Sequence, residues 1–212
     1  LYLLQGNHDI VYRNDGTYDF NKILAYGMTY IKSISESCLV NIDGNDVMFV
    51  PFTTSYETIP KNVYIDFVCG HHDVADVTFN RWQKSKGGMS LDVIENIKVP
   101  VVLGHYHNQS LTKNCRYLGT LFQHSFGEFG FHKGFWTYDK PDGFVFHEQT
   151  TLPRHYEIEY IQEGRKQPSF VVSDGIESDF TTNDYDMIRE IVANHHVKFS
   201  AKNYNIETKY QE

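Results

Sequence analysis

Three short histidine-containing motifs each follow an apolar run of the chain: Gly-Asn-His-Asp at residues 6–9, Gly-His-His at 70–72 and Gly-His-Tyr-His at 104–107. An amide oxygen and imidazole nitrogens can share a divalent cation, and side chains at strand ends are held rigidly enough to fix a pair of metal ions. The motifs therefore predict a two-metal site with Asn7, His71, His105 and His107 as ligands. The alternative is that these are hydrogen-bonded histidines of a core or rim.

Within these motifs the spacing assigns different directions to neighbouring side chains. Alternate residues of a strand share one face, so His105 and His107 are expected to point into the same site. Tyr106, between them, is expected to pack on the other face. His72 is expected to project away from the site because it adjoins His71.

The carboxylate of Asp9 is too close in sequence to His8 to be an independent ligand, and we interpret it as the group that orients the His8 imidazole. Whether His124 lines an active-site cleft is left open by the sequence. Structural roles are expected for the remaining histidines, which are His132, His147, His155, His195 and His196.

The elements that must position the motifs can be read from apolar patterning. Strands are expected at 1–5, 63–69 and 99–103, so two of the motifs follow an apolar strand and then a glycine. Because sites in α/β folds gather outside the carboxyl ends of strands, this arrangement brings the motifs together. Further expected elements are a partly helical 20–30, a hairpin of 38–42 with 47–51, and a helix over 91–96 capped by Ser90.

From residue 115 the pattern is β only, with strands at 115–118, 134–138 and 143–147, and it indicates a mixed sheet packed on a second sheet. The residue pattern changes again near Leu152-Pro153. Beyond this point it predicts a strand over 155–161, an amphipathic helix over 184–193 and a strand over 197–200. The sequence therefore predicts an α/β domain over residues 1–150 and a small accessory domain over residues 151–212.

Composition limits the classes of protein. With 212 residues and 41% hydrophobic content the chain can bury one substantial core. It carries no apolar stretch of membrane-spanning length and no signal-peptide pattern, which predicts a cytoplasmic protein. The three cysteines form no CxxC pair, so neither a zinc knuckle nor a disulfide framework is indicated. The net charge of −8 argues against a wholly basic surface but allows a local basic track.

The three motifs together resemble those of the calcineurin-like metallophosphoesterases. More narrowly, residues 6–14, 68–74, 116–119, 126–128 and 133–135 are similar to the SbcD-type recombination nuclease subunit, particularly its phage form. The resemblance covers about two thirds of the chain, and beyond Pro153 it rests on the order of elements. It implies a four-layer α/β/β/α sandwich over 1–150 and part of a small α+β capping domain that helps to bind DNA over 151–212.

Carried over by motif, the resemblance implies that Asn7, His71 and His105 bind one Mn²⁺ and that His107 binds the other. His8 would face the scissile phosphate. The implied activity is a Mn²⁺-dependent DNA exonuclease with 3′ to 5′ polarity and endonuclease action on single strands. The implied partners are DNA, a second copy in a homodimer and an SMC-like ABC ATPase, in recombination and repair, with no membrane.

The family also has an Asp-x-His motif and a Gly-Asp motif whose aspartate bridges both metals, and we expect these to lie upstream of Leu1. On this expectation the chain is truncated at its start, and the polar stretch 202–212 suggests the same of its end. We therefore expect this polypeptide alone to bind metal poorly and to be inactive. Two rival interpretations remain: a phosphomonoesterase or cyclic-nucleotide phosphodiesterase of the same fold, and a noncatalytic interaction module.

Overall fold

The computed structural model describes residues 1–13, 16–78, 83–162 and 166–202. Asn14, in the first motif, and the polar stretch 203–212 lie outside the described residues. The chain forms two compact units that interleave in sequence. The first comprises Leu1–Thr120 with Gly134–His147, and the second comprises Leu121–Lys133 with the described residues from Glu148 onward.

The first unit combines short strands with two short helices. In chain order these are β1 (Tyr2–Leu4), β2 (Ile10–Arg13), β3 (Gly16–Asp19), α1 (Phe20–Ala25), β4 (Lys32–Ile34), β5 (Cys38–Ile42), β6 (Asn45–Val50), β7 (Phe67–Gly70), α2 (Leu91–Glu95), β8 (Val101–Leu103), β9 (Ser110–Thr112), β10 (Cys115–Tyr117), β11 (Gly134–Asp139) and β12 (Gly143–Glu148).

A six-stranded mixed sheet organises this unit, with the order β5-β6-β7-β8-β10-β9. Strands β6, β7, β8 and β10 are parallel, and the outer strands β5 and β9 are antiparallel to their neighbours. The hairpin β5–β6 turns at Asp43 and Gly44, whose φ angles are 50° and 80°, as a tight hairpin turn with positive φ requires. The predicted mixed α/β sheet is thus confirmed.

Both faces of the sheet are covered. On one face Ile94 of α2 packs against strand residues such as Val68 and Leu103. On the other face Tyr138 and Phe144 of the β11–β12 hairpin pack against Phe67, with Tyr138 and Phe67 ring centroids 4.6 Å apart. Burial of apolar side chains on both faces explains why the parallel strands are nearly continuous apolar runs.

The predicted elements of this unit occur with shifted bounds. The strand predicted over 63–69 begins only at Phe67, and the partly helical 20–30 ends its helix at Ala25. Ser90 caps α2 as predicted, its hydroxyl oxygen accepting from the Asp92 N–H at 3.3 Å.

The second unit contains β13 (His155–Ile161), β14 (Ser169–Ser173), β15 (Phe180–Thr182), α3 (Tyr185–Asn194) and β16 (His196–Lys202). Its sheet has the order β15-β14-β13-β16, and β13 and β16 are parallel. Ile188 of α3 packs on Ile158 and Val172 of the sheet. The predicted strand, helix and strand over 155–161, 184–193 and 197–200 are confirmed.

None of the helices in the described part of the chain has the length and apolar character needed to span a bilayer.

Candidate metal site at the strand ends

Two of the three motifs leave the central sheet side by side. Strands β7 and β8 are parallel neighbours, and the Gly104 N–H donates to the Gly70 carbonyl at 3.0 Å just beyond them. His71 and His105 follow these glycines, so both side chains emerge at the same edge of the sheet. This is the strand, glycine, ligand order that the sequence predicts.

The first motif reaches the same edge by a different route. Gln5 directly follows β1, and its carbonyl accepts a hydrogen bond at 3.0 Å from the N–H of Phe52, two residues after β6. Gly6 then begins a single 3₁₀ turn over Asn7–Asp9. The turn presents the amide of Asn7 toward His71 and His105.

These three side chains converge on one oxygen. Asn7 Oδ1 lies 3.0 Å from His71 Nε2 and 3.3 Å from His105 Nδ1. The two imidazole rings are nearly perpendicular, with centroids 5.5 Å apart. We refer to Asn7, His71 and His105 as the strand-end cluster.

The strand-end cluster fits part of the coordination shell of a divalent cation. Metal–ligand bonds of about 2.1 Å in octahedral geometry put neighbouring ligand atoms about 3 Å apart, which matches these separations. Among the described residues no group of three or more His, Cys, Asp or Glu side chains could hold a metal ion. The third donor here is an amide, so the cluster supplies two imidazoles and one amide oxygen, and other groups must complete the shell.

Two glycines make room for the His71 ring. A Cβ at Gly6 would lie 2.8 Å from His71 Cε1, and a Cβ at Gly104 would lie 2.7 Å from His71 Nδ1. Both separations are shorter than side-chain contacts allow. Gly6 and Gly104, the first residues of the first and third motifs, therefore let two loops close on the imidazole of the second.

The backbone of His105 is strained. Its φ is 86°, a left-handed conformation that residues other than glycine adopt at a cost of about 1–3 kcal/mol. Strain of this kind persists only where surrounding contacts over-determine the conformation. Here it turns the chain sharply after β8 and directs the His105 ring toward Asn7.

The imidazoles of the cluster are held neutral. Burial, together with the nearby His105, lowers the pKa of His71 to about 4. Burial also lowers the pKa of His105. Since a metal binds the neutral imidazole, both rings are in the binding form at pH 7.

His8 and Asp9 occupy different environments in the 3₁₀ turn. His8 is exposed, and its charge would lower the pKa values of His71 and His105, which places it beside them. Asp9 Oδ2 accepts from the Gly6 N–H at 2.7 Å and from the Asn21 side-chain amide at 3.1 Å. Asp9 thus fixes the turn that carries His8, rather than contacting the His8 ring as we expected.

His107 is exposed in the loop that joins β8 to β9, so the strand alternation from which we expected His105 and His107 to share a face is absent there. The positive φ of His105 ends the extended backbone, and the alternation argument no longer applies. His107 still lies next to the cluster, since its charge would lower the pKa of His105. Its carbonyl accepts from the Thr120 N–H at 3.1 Å.

The two neighbours that we placed outside the site make contacts of their own. His72 Nε2 lies 3.0 Å from the Thr54 carbonyl oxygen, and its ring packs edge-on against Tyr56. Tyr106 packs on Tyr117, with ring centroids 4.6 Å apart. Its hydroxyl also donates to the Asp73 carboxylate, a contact that the sequence did not indicate.

The remaining histidines have structural contacts. His124 belongs to the second unit, where its ring stacks on Phe122 and its N–H donates to Glu128. The others contact Glu148 (His132), Thr137 (His147), Gln123 (His155), the Arg154 N–H (His195) and the His155 ring (His196).

No family model matches the chain. Among curated proteins, the chain is similar to exonuclease subunit 1 of Enterobacteria phage T4, with 25% identity over 173 residues. The match covers 76% of this chain and 50% of the relative. The chain therefore spans about half the length of the relative that it matches, and the similarity supports a nuclease relationship.

Proposed function

We propose that the strand-end cluster is part of the active site of a Mn²⁺-dependent nuclease that hydrolyses phosphodiester bonds in DNA. The observation that carries the proposal is the convergence of two neutral imidazoles on Asn7 Oδ1 at 3.0 and 3.3 Å. The similarity to a phage exonuclease subunit supports the same reaction class. The fold that we propose for this nuclease is the four-layer sandwich of calcineurin-like phosphoesterases.

In this proposal Asn7, His71 and His105 hold one Mn²⁺ and His107 serves a second. When bound, such ions lower the pKa of a coordinated water and offset the charge of the phosphate oxygens. His71 supplies a lone pair at neutral pH because burial keeps it unprotonated. The exposed imidazole of His8 faces the scissile phosphate, where it stabilises the transition state or assists the leaving oxygen.

The proposal also covers the roles of the two domains predicted from the sequence and the assembly of the protein. The domain over 1–150 would carry the chemistry, and the domain over 151–212 would be part of a capping domain that helps to bind DNA. The nuclease would act in the cytoplasm as a homodimer with an SMC-like ABC ATPase in recombination and repair.

Cleavage of end-labelled DNA by the complete gene product tests the proposal. With Mn²⁺, we expect shortening from the 3′ end of a duplex and internal cuts in single strands, and we expect both to stop in the His71→Ala variant. A protein that binds Mn²⁺ but leaves DNA uncut would refute the assignment. Faster turnover of para-nitrophenyl phosphate than of DNA would instead favour a phosphomonoesterase.

A further inference from the structure

A cleft of about 1000 Å³ opens beside His105 in the first unit. His105, Tyr106 and Asp73 line it, and so does the segment 83–87. We call residues 83–88 the lysine loop, because they carry Lys84 and Lys86. The cleft thus joins a candidate metal ligand to a loop that bears two cations.

The lysine loop has a fixed backbone. The Ser85 N–H donates to the Val77 carbonyl at 2.9 Å, and the Ser85 carbonyl accepts from the Asp76 N–H at 3.1 Å. The Ser85 side chain is buried and donates its hydroxyl to Asp73 Oδ1 at 2.7 Å. Just after the loop, the Met89 N–H donates to the Asp73 carbonyl at 2.9 Å.

The carboxylate of Asp73 connects this loop to the segment that carries His105. The oxygen that accepts from Ser85 also accepts from the Tyr106 hydroxyl. The Tyr106 ring lies against the His105 ring, with centroids 4.9 Å apart. A single carboxylate oxygen therefore sets the lysine loop and the strained His105 turn relative to each other.

Lys84 and Lys86 are exposed, and neither forms an ion pair with another described residue. This is notable in a chain with 19 basic and 27 acidic residues, where cations are outnumbered. Asp73 and the exposed Asp76 also line the cleft, and Asp73 Oδ1 accepts hydrogen bonds from two hydroxyl groups. Two exposed lysines beside a cleft can bind phosphate groups as point charges.

We propose that this cleft binds the phosphates of a nucleic-acid strand on one side of the bond that is cleaved at the strand-end cluster. Lys84 and Lys86 bind the phosphates, and Asp73 is a positioning residue that holds the lysine loop beside His105. The proposal rests on the proposed function, because it names how that site holds its substrate.

The first test measures the affinity of the chain for a fluorescent single-stranded DNA oligonucleotide, by anisotropy in EDTA at several salt concentrations. In Lys84→Ala/Lys86→Ala we expect binding at least about tenfold weaker at low salt. The dependence of log K on log salt should become shallower by about 1.4, since each phosphate contact to a single strand contributes about 0.7. A wild-type chain that fails to bind would overturn the proposal.

The matched control is Lys98→Ala/Lys113→Ala, which removes the same charge. Lys98 precedes β8 and Lys113 precedes β10, so both lie at the opposite edge of the sheet from His105. We expect this variant to bind like the wild type. Equal losses in the two double variants would show a nonspecific charge effect and overturn the proposal.

The second test concerns Asp73. Asp73→Asn keeps an oxygen that can accept from Ser85 and Tyr106, so it should bind the oligonucleotide at least as well as the wild type. Asp73→Ala should weaken binding, and adding the two lysine substitutions to it should cause little further loss. Weak binding by Asp73→Asn, or unchanged binding by Asp73→Ala, would contradict the positioning role.

The outcomes separate this site from the proposed function. If the complete gene product leaves DNA uncut while the lysines still govern binding, the function fails and the binding site stands. If DNA is cleaved and the lysine variant keeps the wild-type KM, the binding site fails and the function stands.

Discussion

The two units each place histidine among buried or half-buried polar groups, but they complete these groups differently. In the second unit, the His155 N–H donates to Gln123 Oε1 at 2.7 Å. Beside it, Lys133 Nζ and Glu128 Oε2 form an ion pair at 2.7 Å, with side chains only 5% and 8% exposed. We call Gln123, Glu128, Lys133 and His155 the paired cluster.

In the paired cluster the Lys133 ammonium faces the Glu128 carboxylate, and the His155 N–H has Gln123 Oε1 as its acceptor. In the strand-end cluster two neutral imidazoles and an amide meet, and no charged group of the described residues contacts Asn7 Oδ1. Burial lowers the pKa of a histidine in both clusters. Burial alone therefore does not identify a metal ligand. The two clusters differ in whether neighbouring groups already balance the charges and accept the hydrogen bonds of their members.

The largest effect is expected from a substitution that breaks the ion pair of the paired cluster. Glu128→Gln leaves the Lys133 ammonium buried without its counterion, and removing one partner of a buried pair costs about 3–5 kcal/mol. We expect a loss of this size in the free energy of unfolding, measured with urea at pH 7.

The control for this prediction removes both charges. Glu128→Gln with Lys133→Met should cost less than the sum of the two single variants, because no unpaired charge remains. Additive losses, or a Glu128→Gln variant as stable as the wild type, would show that the pair does not act as a unit.

Replacing one histidine of each cluster by alanine sharpens the comparison. In the complete gene product, His71→Ala should weaken Mn²⁺ binding by at least about 100-fold, since even groups that only orient metal ligands are worth 10–100-fold. His155→Ala should leave Mn²⁺ affinity unchanged and lower stability. Titration with Mn²⁺, followed by the electron paramagnetic resonance of the free ion, measures the first, and urea unfolding measures the second. Equal Mn²⁺ affinities in the two variants would refute the assignment of ligands.

A smaller effect is expected from filling the space around the His71 ring. In Gly104→Ala the new methyl group would lie 2.7 Å from His71 Nδ1, so the ring must shift. We expect Mn²⁺ affinity to fall by about tenfold, because ligands displaced from their geometry bind less well. Gly127→Ala is the matched control, since its Cβ would meet only Ser125 Oγ at 3.4 Å. A Gly104→Ala variant with wild-type affinity would show that the glycine is not needed for the site.

The comparison also shows which features of the site can be predicted from local sequence patterns. Apolar strands followed by glycine and a ligand are local signals, and they correctly placed His71 and His105 at one sheet edge. Asn7 is brought there by the contact between the segments that follow β1 and β6, which depends on the hydrogen bond from the Phe52 N–H to the Gln5 carbonyl. No local pattern encodes that contact, although the motif order was sufficient to expect its result.

The errors have a common physical cause. The expectation that His105 and His107 share a face assumed an extended backbone beyond β8, whereas the φ of 86° at His105 arises from tertiary constraints. Likewise Asp9 was assigned to its sequence neighbour His8, whereas it accepts from Asn21 twelve residues away. Tyr106 was assigned to packing alone, and its hydroxyl contacts Asp73 across 33 residues. Side-chain partners at such separations are set by the fold.

The smallest expected effect concerns a carboxylate of the second unit outside the paired cluster. Burial acts to raise the pKa of Asp174, but the N–H groups of Glu177 and Ile176 and the Arg154 guanidinium outweigh it and hold the pKa below its ordinary value. A carboxyl with a lowered folded-state pKa stabilises the fold above its unfolded pKa and loses that contribution as the pH falls through the folded value. Asp174→Asn should therefore be less stable than the wild type at pH 7, and the difference should shrink below about pH 4.

Urea unfolding of the wild type and the Asp174→Asn variant at pH 7, 4 and 3 measures this difference. Asp179 is an exposed carboxylate of the same unit with no hydrogen bond to a described residue, so Asp179→Asn should follow the wild type throughout. A difference for Asp174→Asn that stays constant from pH 7 to pH 3 would mean that Asp174 acts through its shape. In that case the charge of Asp174 would add nothing to the stability of the second unit.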